Sequence, residues 1–96
     1  MYTAIKLDKS RNFKYGMKAL SLVEKALKKP IGSIDFNTLT IEENATVIWA
    51  GLVHEDSALT VDKVMDLVDE HSSIKEVVEK MGEALNEAFG DKEEKN

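Results

Sequence analysis

The stretch TIEENATVIWAGLVHEDSALTVDKVMDLVDEH, Thr40 to His71, contains two helix starts with one turn between them. Thr40 and Glu43 form a capping box, in which the hydroxyl accepts the N–H three residues on and the carboxylate reaches back to the cap N–H. A helix is expected from Ile41 to about His54. Ile41, Ala45, Ile48 and Leu52 make its main stripe, while Val47, Trp49, Ala50 and Val53 spread apolar surface round most of the rest. That pattern belongs to the most buried helix of a small domain, with Trp49 as a core or interface anchor. Thr60 caps a second helix through His71, with Val61, Val64, Met65 and Val68 inward and Asp62 in the first turn, where the helix dipole favours an anion.

The junction His54-Glu55-Asp56 invites a chemical reading. It opens like HExxH, but the fourth residue after His54 is Ala58, so the second metal ligand of that motif is absent. HED is read instead as a helix end and SAL as a turn, with His54 and His71 as helix-end residues.

Downstream, Ser73 and Glu76 repeat the capping box. Ile74, Val77, Val78, Met81, Leu85 and Phe89 are expected to be buried before Gly90 ends the helix. The opposite side, including Glu76, Glu79, Lys80, Glu83 and Glu87, is charged. The closing GDKEEKN offers nothing to bury, so residues 1–90 are read as one helical domain and 91–96 as a disordered polar tail.

Upstream, Pro30 and Gly32 interrupt the chain. Before them FKYGMKALSLVEKALKK reads as a helix capped by Asn12, with Phe13, Met17, Leu20, Val23 and Leu27 on one side and Gly16 as a weak point. Tyr15, Ala19, Leu22 and Ala26 form a second stripe, read as roughly opposite the first. Either the amino-terminal arm or the loop after Pro30 covers it, or a partner does. YTAIKLD, residues 2–7 and Asp8, fits a short strand or an extended arm. The expected fold is mainly α, a small bundle of about four helices with this β-like segment in front.

Composition agrees with a globular chain: 96 residues, 43% apolar and 32% charged, bounding one domain. Cysteine is absent, which removes disulfides and thiolate chemistry. Apolar runs fall far short of the roughly 20 residues of a membrane span. The amino terminus has no apolar signal core, so a cytoplasmic protein is expected. The net charge of −5 is uneven: residues 1–30 carry eight Lys/Arg against Asp8 and Glu24, and the remainder carries five Lys against sixteen acids. The acidic remainder repels phosphates, which argues against nucleic acid as partner. Serines fall outside any G-x-S-x-G elbow, glycines are scattered, and carboxylates sit on charged faces. No catalytic residue, metal or cofactor is expected.

IWAGLVHEDSALTVDKVMDLVDEH, Ile48 to His71, followed by IKEVVEKMGEAL, resembles the tail assembly chaperones of long-tailed phages (siphophages) and related prophages. The resemblance runs from Phe36 to about Phe89 and is weaker over the first 30 residues. It rests on a helix ending in W-A-G-L-x-H-E-D, an L-T-x-D-x-V start to the next, and a closing amphipathic helix. It implies a non-enzymatic helical protein of the host bacterial cytoplasm that coats the tape-measure protein, helps recruit tail tube subunits and is absent from the finished virion. Family members often also occur as a form extended by ribosomal frameshifting. The other reading is a small helical adaptor or regulatory module that binds some other protein.

Either way protein-binding surface is needed. Tyr15, Ala19, Leu22 and Ala26 are the apolar candidates. Lys14, Lys18, Lys25 and Lys28 on one copy are expected to face Asp62, Asp66 and Asp69 on the next, unless these charges only solvate the surface.

Overall fold

The structure, a computed structural model, describes residues 3–90. The expected tail at 91–96 lies outside them. Two strands come first, β1 (Thr3–Lys6) and β2 (Ser10–Phe13), followed by α1 (Met17–Leu27), a 3-10 turn (Ile31–Ser33), α2 (Ile41–Leu52), α3 (Val61–His71) and α4 (Ile74–Phe89). The mainly helical architecture agrees with the sequence, and the amino-terminal segment is a strand.

The strand is half of an antiparallel hairpin in which Thr3 pairs with Phe13 and Ile5 with Arg11. This corrects the helix expected from Asn12: residues 12–16 are not helical, and α1 starts after Gly16, its N-cap. The physical reason is a period of two. Arg11, Phe13 and Tyr15 are buried at alternate positions, as strand geometry requires. Gly16 therefore stands at a helix boundary rather than weakening a helix interior.

α2 is the centre. Seven of its twelve residues are buried, and α1, α3, α4 and β2 all pack against it, while α4 also supports β1. Phe13, Val23, Val47, Leu52, Val64, Val77 and Met81 are the largest fully buried side chains. The Thr40 capping box is complete: Thr40 Oγ1 accepts Glu43 N–H at 3.1 Å and Glu43 Oε1 accepts Thr40 N–H at 2.9 Å. Thr60 and Ser73 hydroxyls cap α3 and α4, accepting Lys63 N–H and Glu76 N–H, each at 3.1 Å. α2 ends at Leu52 rather than His54, and Gly90, at φ 72°, closes α4.

Four side chains expected in the core lie outside it: Met17 is 89% exposed, Ile41 62%, Ile74 52% and Phe89 44%. Each sits at the first or last residue of its helix. Phe89 still meets Phe36, with ring centroids 6.3 Å apart.

Candidate protein-binding surfaces

The HED junction fastens the hairpin to the helices. Glu55 Oε1 accepts the Asn12 backbone N–H at 3.1 Å, Glu55 Oε2 accepts Asn12 Nδ2 at 2.9 Å, and His54 Nε2 lies 2.8 Å from the Asn12 carbonyl. Arg11, only 4% exposed, donates from Nε and Nη2 to the two Asp8 oxygens at 2.9 and 3.0 Å, and from Nη1 to Asp56 at 3.4 Å. A guanidinium tolerates such burial because its fork matches carboxylates and its charge is met. The Arg11 hydrogen bond holds the Asp8 carboxyl below its ordinary range, and the Asn12 amide does the same for Glu55. These acids are structural clasps, a tertiary role beyond ending a helix. Trp49 Nε1–H donates to the Leu59 carbonyl at 3.0 Å, tying α2 to the turn before α3.

Among the candidate binding residues, Tyr15 is displaced. It is 6% exposed, its hydroxyl donates to the Val47 carbonyl at 2.7 Å, and its ring stacks on Phe13 at 5.7 Å between centroids. Burial raises its pKa well above the ordinary tyrosine value. It belongs to the core and to no docking stripe. Ala19 and Leu22 are half-buried and pack against that core together with Leu20 and Leu27, and Ala26 is exposed. At about 100° per residue, the two stripes are adjacent flanks of one broad face centred on Val23, and that face meets α2. Only Ala26 of the four remains on open surface.

Lys14, Lys18, Lys25 and Lys28 are all exposed, as are Asp62, Asp66 and Asp69. Lys14 and Lys18 border a shallow depression with Met17 and His54, and Lys25 and Lys28 border another with Pro30. Lys18 and Lys25 are seven residues apart on α1, as Asp62 and Asp69 are on α3, so both pairs span about 10.5 Å along their helices. α1 and α3 each lean on α2, which places the basic and acidic rows on different parts of one molecule.

The sequence reading missed a groove of about 130 Å³ where α2, α3 and α4 meet. α2 contributes Ile41, Asn44, Ala45 and Ile48, α3 contributes Val64, Met65, Val68 and Asp69, and α4 contributes Ile74 and Val78. The available signal was the repeated pattern Thr40-Ile41 and Ser73-Ile74, an isoleucine directly after each cap. No group of His, Cys, Asp or Glu suited to a metal ion occurs among the described residues. No helix among them is long and apolar enough to cross a membrane.

No protein-family model, curated protein or solved structure matches this chain.

Proposed function

We infer that this chain is a tail assembly chaperone of a long-tailed phage or prophage, working in the host bacterial cytoplasm without catalysis. It binds the tape-measure protein, helps recruit tail tube subunits and leaves before the virion is complete. The carrying observation is the open aliphatic groove between α2, α3 and α4, with exposed Ile41 and Ile74 at its mouth. Apolar surface of that kind on an otherwise charged body is what a chain that shields a client requires. The resemblance of Ile48–His71 and the helix after it supplies the client's identity.

Self-association is the second part of the reading. The exposed Lys18 and Lys25 on α1 and the exposed Asp62 and Asp66 on α3 support a head-to-tail contact between copies. Asp62 and Asp66 are clear of the groove wall and available for it. Exposed ion pairs contribute about 0–1 kcal/mol each, so they set register more than affinity.

Co-expression with the tape-measure protein of the same phage or prophage tests the assignment. The client should be soluble with the chain and aggregate without it, and the two should co-purify. Equal solubility in both cases removes the chaperone role and leaves a helical adaptor for another protein. A tape-measure gene immediately downstream and a tail tube gene upstream are the expected genomic setting.

A further inference from the structure

The lining of the groove has two polar features, Asn44 and Asp69. Asn44 Nδ2 donates to the Thr40 carbonyl at 3.1 Å and the Leu39 carbonyl at 3.4 Å, which orients the amide. Asn44 Oδ1 is then buried with no partner among the described residues. Buried acceptors are nearly always satisfied, so this one is an unmatched point in the groove wall. Asp69 is the second feature. It stands in the last turn of α3, where the helix dipole disfavours an anion, and it has no ion pair among the described residues.

Both polar groups accept and neither donates, while the rest of the lining is apolar except for backbone. A groove of about 130 Å³ is near the roughly 150 Å³ cavity that accommodates a benzene ring, hence room for one large aliphatic side chain. Ile41 and Ile74 flank the mouth and extend the apolar surface outward. That shape suits a side chain projecting from a helix laid across the opening, since a helix presents further anchors at i+3 and i+4 to the exposed isoleucines.

We propose that the groove receives an amphipathic helix of another protein, a leucine-like anchor seated over Ile48 and Val64 and a flanking lysine or arginine meeting Asp69. Resting on the chaperone reading, this helix is a cationic amphipathic segment of the client. An anionic segment is refused, because it would set carboxylates against Asp69.

The test uses the full chain and two synthetic helical peptides with leucines at i, i+3 and i+7, flanked by lysines in one and glutamates in the other. Calorimetry and methyl NMR should show the lysine peptide binding, with shifts centred on Met65 and Val78. Ile74→Lys and Asp69→Lys should each weaken it tenfold or more, and Asp69→Lys should gain affinity for the glutamate peptide. Both positions are exposed, and unchanged melting curves verify that the variants fold. Equal affinity for both peptides, shifts elsewhere, or an inert Ile74→Lys overturns the proposal. So does a chain whose own self-association at high concentration shifts the same methyls, since a second copy then fills the groove. Peptide binding with no effect on the tape-measure protein leaves the groove standing and removes the chaperone reading. Client binding that survives Ile74→Lys removes the groove alone.

Discussion

Gly51 lies against the ring of Tyr15: a Cβ built on Gly51 would stand 2.5 Å from Tyr15 Cζ and 2.8 Å from Phe13 Cδ1. The rings of Phe13 and Tyr15 therefore rest on bare backbone near the carboxy-terminal end of the most buried helix. The Lys14 N–H reaches the Gly51 carbonyl at 2.9 Å at the same place.

Gly51→Ala accordingly sets two effects against each other. Alanine improves helix propensity by about 1 kcal/mol, while overpacking costs about 1–3 kcal/mol. With three side-chain atoms of Tyr15 and Phe13 closer than 3.0 Å to the new carbon, the clash wins. A urea titration should show a net loss of up to about 2 kcal/mol. Tyr15→Phe, which removes only the hydrogen bond to Val47, should cost about 1 kcal/mol. An unchanged midpoint for Gly51→Ala would mean that the hairpin does not seat on α2.

The hairpin clasp makes stability pH-dependent. The folded pKa values of Asp8 and Glu55 lie below their ordinary values, through hydrogen bonds from Arg11 and Asn12 respectively. A lowered folded pKa gives stability that is present above the unfolded pKa and lost as pH falls through the folded one. The denaturation midpoint should thus hold steady from about pH 8 to 5 and decline below about pH 4. The double variant Asp8→Asn, Glu55→Gln should be less stable at neutral pH and show a shallower acid slope. An identical slope would assign acid sensitivity to other carboxylates.

Lys28 ends α1 in the left-handed region at φ 60°, ψ 40°. A side chain there costs about 1 kcal/mol that glycine does not incur. Lys28→Gly should raise the melting temperature, the carbonyl of Glu24 still accepting the residue 28 N–H. A lowered melting temperature would show that the lysine side chain contributes more than its backbone costs.

Association of copies should weaken with salt. Light scattering at 50 mM and 500 mM NaCl should report smaller particles at high salt, because ions screen exposed charges beyond a few ångströms. The variant Lys18→Glu, Lys25→Glu should reproduce the high-salt state at low salt. A monomer under every condition removes the head-to-tail contact.

Local chemistry was legible where a signal is complete within one turn of chain. Thr40 with Glu43, Thr60, Ser73 and Gly90 marked helix boundaries that the structure retains, because caps and left-handed glycines satisfy backbone groups a few residues away. The burial of α2 was legible too, from apolar residues round most of its circumference. The hairpin was hidden by Arg11. Its place in the inward alternation Arg11, Phe13, Tyr15 looks polar until Asp8 and Asp56 are brought to it, and Asp56 is 45 residues away.

The chain on its own determined a mainly helical, cysteine-free domain with an uneven charge and a central α2, since these follow from composition, period and caps. Tertiary structure alone decided that Tyr15 is core, that Glu55 and Asp56 hold a strand, and that Ile41 and Ile74 border an open groove. Each of those outcomes depends on which distant element comes to lie beside the residue. Neither helical periodicity nor hydropathy records that, because both describe a segment's own faces and not what its neighbours leave uncovered.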